Sequence, residues 1–185
     1  MGRPCVDYFR KMNGKRIDYD WWKWYQCVDL FKDYMDKVLG IKLKMSWNAD
    51  DIWTNKYYIF KTGWRRIVGT RDLMQGDVIV RGTETGFHVA IFDHICWWQV
   101  YVWEQNGIGK NKATKNIAGD WIGWNAIRLH WYTPSFWSGV WRNKKIEDNF
   151  KQEIAFIDAK LTTKLTAIDR KNTIDYKNSI RYIVK

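Results

Sequence analysis

Twelve consecutive residues, 18–29, carry most of what this chain reveals about its fold: Asp-Tyr-Asp-Trp-Trp-Lys-Trp-Tyr-Gln-Cys-Val-Asp. Apolar side chains then recur at three- and four-residue steps from Val28 to Val38, and Gly40 follows, so the pattern predicts a helix over 26–39. Cys27 therefore lies at the N-terminal end of that helix. Unpaired backbone N–H groups at this end lower the pKa of a thiol and favour the thiolate. A buried, inert cysteine is the alternative interpretation.

A β-rich region follows the predicted helix. Its segments are rich in Val, Ile, Trp and Tyr and are separated by turns that contain Gly, Thr or Asn. A leading helix followed by consecutive strands is typical of an α+β domain with an antiparallel sheet. We also expect a short helical turn at 48–55. The predicted strands are 77–81, 88–93, 98–104 and 124–131.

The pattern changes beyond Pro134, where apolar residues recur at steps of four and three. This spacing predicts an amphipathic helix that either packs on the domain's own surface or forms a coiled coil or docking helix. Alternation at 174–184 indicates a terminal strand. We expect a domain at 1–134 and a C-terminal helical extension at 135–185, which docks or self-associates through 146–168. The apolar stripe comprises Phe150, Ile154, Ile157, Leu161, Leu165 and Ile168.

Charge and cysteine content limit the classes of function. The net charge of +11, from 31 basic and 20 acidic residues, favours an anionic partner such as an acidic cell-wall polymer. No dense Lys/Arg block occurs, so we do not expect nucleic acid as a partner. Three cysteines without metal-ligand spacing argue against a disulfide framework. Without a signal-like N-terminus or a long apolar run, we expect neither secretion by a signal peptide nor membrane insertion.

Two later segments supply the partners that a reactive thiol needs. His88 opens an apolar run, and Glu104 and Asn106 end the next predicted strand. Strand ends are places where a polar group can orient an imidazole. Taken singly, these residues are equally explained as a histidine bonded to the backbone and as surface polar groups. In the order Cys, His, Glu/Asn they match a papain-like arrangement, with the nucleophile on the leading helix.

Five segments together give the chain a family resemblance, and they occur in family order: Gln26–Leu30, Trp47–Ala49, Gly76–Val80, Gly86–Ile91 and Glu104–Gly107. The chain resembles the CHAP domain, the cysteine- and histidine-dependent amidohydrolase/peptidase module of bacteriophage lysins and bacterial wall hydrolases. The resemblance covers roughly residues 5–134. It implies a papain-like CHAP fold, with N-terminal helices packed on an antiparallel β-sheet.

The resemblance also implies roles for individual residues: a nucleophile at Cys27, a general base at His88, and orienting groups at Glu104 and Asn106. Family substrates are amide bonds of peptidoglycan, so the implied protein is an endopeptidase or N-acetylmuramoyl-L-alanine amidase. It would be a phage endolysin or a virion-associated lysin, held in the host cytoplasm before release to the wall or assembled with a phage tail. A non-catalytic wall-binding or structural virion component with this fold is the alternative.

The aspartates around the cysteine predict a second site. Alternate carboxylates in a loop, followed by a further carboxylate, can surround a hard cation with oxygen ligands. Asp18, Asp20 and Asp29 have this spacing. Some phage CHAP domains carry calcium here, so the resemblance implies Ca²⁺ bound by these carboxylates and by the backbone carbonyls of Trp22 and Trp24. The alternative is acidic residues that only favour the helix N-terminus through its dipole.

Overall fold

The structure is a computed structural model in which helices lie beside a six-stranded antiparallel sheet. It describes residues 4–21, 26–43, 48–54, 60, 63–83, 86–107, 114–115, 121–122 and 125–164. The helices are α1 (Pro4–Met12), α2 (Cys27–Lys37), α3 (Ala49–Thr54) and α4 (Lys144–Lys164), with a 3₁₀ turn at Pro134–Phe136. The strands are β1 (Trp64–Val68), β2 (Val78–Thr83), β3 (Gly86–Cys96), β4 (Gln99–Glu104), β5 (Thr114–Lys115), β6 (Trp121–Ile122), β7 (Arg128–Tyr132) and β8 (Gly139–Asn143).

The main sheet has the strand order β1-β8-β2-β3-β4-β7, and all of its strand pairs are antiparallel. Two hairpins join β2, β3 and β4, while β8 returns later in the chain to lie between β1 and β2. Strands β5 and β6 form a separate two-stranded ribbon. The predicted α+β class with an antiparallel sheet is therefore confirmed.

Both faces of the sheet are buried. Helices α1 and α2 cover one face, where Phe9 stacks on Trp103 at 5.4 Å and on Tyr34 at 5.6 Å between ring centroids. A second apolar cluster covers the opposite face. A strand that is buried on both faces has a continuous apolar sequence instead of an alternating one. This explains why the sequences of β2 and β3 contain continuous apolar runs. The second cluster contains Leu73, Ile79, Ala90, Phe92, Val100, Val102, Trp137 and Val140.

Most of the elements predicted from the sequence are present. Helices α2 and α3 and strands β2, β3 and β4 confirm the predictions at 26–39, 48–55, 77–81, 88–93 and 98–104. The strand predicted at 124–131 was wrong at 125–127, since β7 begins only at Arg128. The backbone of Ile127 is instead hydrogen-bonded to the segment that follows α1. Its N–H donates to the carbonyl of Lys15 at 2.7 Å, and its carbonyl accepts from the N–H of Gly14 at 2.8 Å.

Five helices and strands were not predicted: α1, β1, β5, β6 and β8. Strand β8 follows the predicted domain boundary at residue 134, yet it is hydrogen-bonded to both β1 and β2. The sheet thus contains residues from both sides of that boundary. Strand β1 (Trp-Arg-Arg-Ile-Val) and strand β8 (Gly-Val-Trp-Arg-Asn) show neither polar–apolar alternation nor a continuous apolar run, so no pattern marks them as strands. The division into 1–134 and 135–185 stays a prediction.

Helix α4 begins directly after β8 and is anchored at its first turn. Ile146 is buried in the core, and Glu147 forms an ion pair with Arg65 of β1. Further along, Phe150, Ile154 and Ile157 of the apolar stripe are half-buried. Leu165, Ile168 and the predicted strand at 174–184 lie outside the described residues, and self-association through 146–168 stays a prediction. None of the helices in the described ranges is long and apolar enough to cross a membrane.

The turn between β3 and β4 has an unusual composition. Cys96 pairs with Gln99, so the loop consists of Trp97 and Trp98 alone, with φ angles of 47° and 65°. Two-residue hairpin loops with positive φ at both positions favour Asn-Gly. For a bulky residue, this left-handed conformation costs about 1–2 kcal/mol. The protein therefore places two tryptophans where the backbone disfavours them.

A buried ion pair ties β8 to the start of β2. Arg142 donates from Nε to Oδ1 of Asp77 at 2.8 Å and from Nη2 to Oδ2 at 2.7 Å, and both side chains are buried. The second oxygen also accepts from the backbone N–H of Met74 at 2.8 Å. This bidentate contact holds the returning strand against the centre of the sheet.

Replacing Arg142 with methionine should lower the free energy of unfolding by about 3–5 kcal/mol, because the carboxylate of Asp77 stays buried without its counter-ion. Denaturant titration measures the loss. Arg65→Met is the matched control: it removes an ion pair with Glu147 that is exposed on the arginine side, and should change stability by at most about 1 kcal/mol. Equal losses in the two variants would contradict this account of the sheet.

Candidate active site

Cys27 is the first residue of α2. Gln26 before it is extended, with φ −83° and ψ 162°, and its backbone N–H donates to Oδ2 of Asp29 at 2.7 Å. This contact caps the helix in the manner expected of an acidic residue in the first turn. Leu30 and Phe31 are buried in the core and fix the helix against the sheet. The thiol is thus held at the positive end of the helix dipole.

His88 lies near the start of β3, and its imidazole is hydrogen-bonded to the thiol of Cys27. Burial by itself would raise the pKa of Cys27, but the charge of His88, its hydrogen bond and a bond from the backbone of Val89 lower it below its ordinary value. Burial would lower the pKa of His88, but Cys27 and Glu104 raise it above its ordinary value. Both directions favour a thiolate beside an imidazolium.

Glu104, at the end of β4, is fully buried and uses both carboxylate oxygens. Oε2 accepts from Nε2 of His88 at 2.9 Å and from the hydroxyl of Tyr132 at 2.7 Å. Oε1 accepts from Nε of Arg128 at 3.0 Å and lies 2.9 Å from Nη2 in the same ion pair. Burial would raise the pKa of Glu104, but His88 and Arg128 hold it well below its usual range. Since Nε2 of His88 faces Glu104, Nδ1 is the ring nitrogen that faces the thiol.

The absence of a side chain at Gly107 makes room for the carboxylate of Glu104. A Cβ at this position would lie 1.8 Å from Oε2 and 2.6 Å from Oε1 of Glu104. Any larger residue would therefore push the carboxylate away from His88. The glycine is needed for the close approach of a side chain, not for an unusual backbone angle.

The two residues between Glu104 and Gly107 connect the sheet to the segment before α2. Gln105 is buried; its Nε2 donates to the carbonyls of Ile17 at 2.7 Å and Gln26 at 3.1 Å, and its Oε1 accepts from the N–H of Ile17 at 2.9 Å. Asn106 has a φ of 60° and donates from Nδ2 to Oε1 of Gln26 at 3.2 Å. The structure thus brings Asn106 to the site beside Gln26, whereas Glu104 is the group hydrogen-bonded to His88.

An aromatic wall covers the other side of the imidazole. Trp137 stacks near His88 at 6.1 Å between centroids, and Tyr132 meets Trp137 edge-on at 5.2 Å. The indole nitrogen of Trp137 is buried without a hydrogen-bond partner among the described residues. These rings exclude water from the His88–Glu104 contact, which strengthens its electrostatics.

The predicted carboxylates come together next to this site. Asp18, Asp20 and Asp29 each offer an oxygen, and the three oxygens lie within 4.8 Å of one another. Burial first, then the charges of Asp20 and Asp18, raise the pKa of Asp29 to about 6 against the lowering effect of its bond to Gln26. A carboxyl group whose pKa is raised by neighbouring carboxylates marks a place where positive charge is favourable.

Two observations test whether a cation suits this cluster. Oδ1 of Asp18 is buried, and within the described residues it has no hydrogen-bond partner. The ammonium of Lys32, whose side chain is 2% exposed, forms an ion pair with Oδ2 of Asp20. The cluster therefore has one oxygen, Oδ1 of Asp18, that a metal ion could bind. It also contains the ammonium of Lys32, which is paired with Asp20, one of the candidate ligands. Trp22 and Trp24, the predicted carbonyl ligands, lie outside the described residues.

Sequence reasoning missed Arg128, Tyr132, Trp137 and Lys32. An arginine next to an apolar run, as in Ala-Ile-Arg-Leu, signals a buried acidic partner because buried charges are paired. Lys32 gives a similar signal, since its position lies among the apolar residues of α2. No sequence pattern points to Tyr132 or Trp137, because their role depends on which strands become neighbours.

Comparison with solved structures reveals a likeness in fold. The crystal structure of a wild type endolysin, LysIME-EF1, superposes with a TM-score of 0.56 and 22% sequence identity. The fold is endolysin-like. The match covers 76% of this chain and 62% of that one, so this chain spans about three-fifths of that endolysin's length. No protein-family model matches the chain.

Gly107→Ala should shift the pH dependence of Cys27 alkylation upward, because the new methyl group displaces Glu104 and weakens the imidazolium that stabilises the thiolate. In the unmodified protein, alkylation should persist well below the ordinary thiol pKa of about 8.5. Both expectations are tested by measuring the rate at which iodoacetamide alkylates Cys27 between pH 4 and 10, with mass spectrometry of the peptide that contains Cys27. Asp148→Ala, at an exposed position of α4, is the control; an unshifted profile for Gly107→Ala would exclude the proposed contact.

Proposed function

We propose that this chain is a cysteine-dependent hydrolase of the CHAP type that cleaves an amide bond of peptidoglycan. The observation that carries the proposal is the continuous line of hydrogen bonds from Cys27 through His88 to Glu104. A thiol, an imidazole and an orienting carboxylate in this order are the parts of a nucleophilic acyl-transfer site. The fold's likeness to an endolysin supports the choice of a wall substrate.

In the proposed reaction, His88 holds the proton of the Cys27 thiol, and the thiolate sulfur attacks the carbonyl carbon of the amide. The carbon–nitrogen bond then breaks, and the leaving amine takes the proton from the imidazolium. Water, deprotonated by His88, attacks the resulting thioester. The carbon–sulfur bond then breaks, which releases the carboxylic acid and restores the thiolate of Cys27 beside protonated His88.

The surroundings of Cys27 stabilise the charges in these steps. The backbone N–H groups at the start of α2 point toward the thiol end of the helix and provide donors for the oxyanion. Glu104 stays ionised and holds the imidazole in one orientation, with Arg128 and Tyr132 fixing the carboxylate in turn. Asn106 acts through Gln26, which it positions directly before the nucleophile.

Within this proposal the bond is either the sugar–peptide junction, cut by an N-acetylmuramoyl-L-alanine amidase, or a bond within the peptide, cut by an endopeptidase. The protein would act as a phage endolysin, held in the host cytoplasm until release, or as a virion-associated lysin. Its basic charge of +11 favours adhesion to an anionic wall polymer.

We propose that the acidic cluster binds Ca²⁺ through Asp18, Asp20 and Asp29, with the backbone carbonyls of Trp22 and Trp24 as further ligands. The spare oxygen of Asp18 and the raised pKa of Asp29 support this. The ion would supply positive charge that holds the 18–20 segment against the start of α2. Asp29 belongs to both sites, because it also caps the helix that carries Cys27.

Cys27→Ala should abolish release of amino groups from purified cell wall while the far-ultraviolet circular dichroism and melting temperature stay close to those of the unmodified protein, because the nucleophile is lost and only one partly buried sulfur atom at the edge of the core is removed. Cys96→Ala is the matched control, since Cys96 is also a free cysteine and lies at the far end of β3. Amine release would be followed with a colorimetric reagent. Undiminished release by Cys27→Ala would exclude Cys27 as the nucleophile, whereas no release by the unmodified protein would leave a non-catalytic wall-binding role as the better account.

Ca²⁺ should raise the melting temperature of the chelator-treated protein by several degrees, because a ligand that binds only the folded state stabilises it. Asp20→Ala should remove this shift, and Lys32→Met should enlarge it, because the ammonium no longer shares Asp20. Asp148→Ala, an exposed carboxylate on α4, is the control. Differential scanning calorimetry with and without Ca²⁺ measures the shift. The same shift in Asp20→Ala as in the control would place the ion elsewhere.

A further inference from the structure

The turn of the β3–β4 hairpin presents two tryptophans to solvent. Trp97 is 87% exposed and Trp98 is 88% exposed, and both have positive φ angles that other residues adopt more easily. Strained backbone persists where the surrounding structure or function requires it. Neither ring contributes to the two apolar cores, so packing does not explain the choice of residue. Exposed tryptophans held on a short, rigid loop are instead suited to binding.

Further aromatic rings lie close to this turn. Tyr101 of β4 stacks on His94 of β3 at 4.5 Å between centroids and 10° between planes. Trp131 of β7 is opposite Tyr101 in register and is 46% exposed. Trp97, Trp98, Tyr101 and Trp131, which we call the hairpin-tip surface, thus present aromatic area from the turn and from two adjacent strands.

The two segments that carry the hairpin-tip surface have no formally charged residue, although the protein as a whole carries +11; the adjoining carboxylate of Asp93 is hydrogen-bonded to His94. Residues 94–103 and 129–136, which form the two strand ends and the turn, contain no Lys, Arg, Asp or Glu. A surface for an anionic polymer or an anionic membrane would carry lysines or arginines. Polar groups that suit hydroxyl partners are present, since the Tyr101 hydroxyl donates to Oε1 of Gln99 at 3.2 Å. The chemistry of the hairpin-tip surface therefore matches an uncharged, hydroxyl-rich partner with flat apolar faces.

The turn of this surface, Trp97-Trp98, lies at the opposite end of β3 from His88 in the candidate active site. His88 is near the start of the strand and Cys96 is its last residue, which corresponds to about 26 Å along an extended strand. A small substrate in the cleft would not reach this far. A partner that engages both places must be a polymer, such as the sugar chain to which wall peptides are attached.

We propose that the hairpin-tip surface is a second binding site, which takes uncharged sugar chains by stacking their rings on Trp97 and Trp98. Where the chain acts on peptidoglycan, a point that rests on the proposed function, this contact binds the glycan while the cleft receives an amide bond. The surface then contributes affinity for the wall from within the same sheet that carries His88 and Glu104.

The test replaces Trp97-Trp98 with Asn-Gly in a Cys27→Ala background, so that binding is measured without cleavage. Because Asn-Gly suits the positive φ angles, the variant should melt at the same or a higher temperature. Its affinity for peptide-free N-acetylglucosamine oligomers and for purified wall should fall at least tenfold in calorimetric and sedimentation assays. The control Phe156→Ala, which removes an exposed ring from α4, should bind as before.

Three results would overturn the inference. The first is unchanged affinity of the Asn-Gly variant for the oligomers. The second is binding of the parent to phosphatidylcholine vesicles, but not to sugar, that requires both tryptophans. The third is a concentration-dependent dimer in ultracentrifugation that the variant loses, which would make a second copy the partner. Amine release by the Cys27-intact protein is measured separately, so a failure of the proposed hydrolysis is distinguishable from a failure of sugar binding.

Discussion

The structure depends on one fully buried carboxylate. Glu104 carries a charge in the core, and such a charge is tolerated only when both oxygens have partners. Those partners come from the two neighbouring strands: His88 from β3, and Arg128 and Tyr132 from β7. A slip of one residue in either register would turn a partner to the opposite face and leave the charge unpaired. The register that satisfies Glu104 is also the one that directs His88 toward Cys27.

The N-terminus of α2 joins the two candidate sites. Its dipole favours the thiolate of Cys27 and also the carboxylates gathered around Asp29. Gln105 binds Ile17 and Gln26 together, so the segment before the helix is fixed to the same sheet end as Glu104. A change of charge at the acidic cluster would therefore affect the thiol of Cys27, because Asp29 belongs to the cluster and also caps the helix that begins at Cys27.

Several features could be read from the sequence because they depend on neighbours in the chain. The α2 helix, the strands β2 to β4 and the closeness of Asp18 and Asp20 follow from periodicity and short spacing. The strand expected at 125–127 was wrong because Ile127 bonds to Lys15, more than a hundred residues earlier. Strands β1 and β8 were missed because their sequences lack a strand pattern, and β8 is identified only by its place between β1 and β2.

The sequence by itself determined an α+β chain with a cysteine at a helix start, and a histidine and a glutamate on successive strands. Residue types and local spacing encode these features. Only the tertiary structure decided that His88 bonds Glu104 while Asn106 turns to Gln26, that Arg128 neutralises the buried carboxylate, and that Lys32 shares Asp20 with the acidic cluster. These pairings depend on strand register and on desolvation. Both arise only when distant parts of the chain exclude water together.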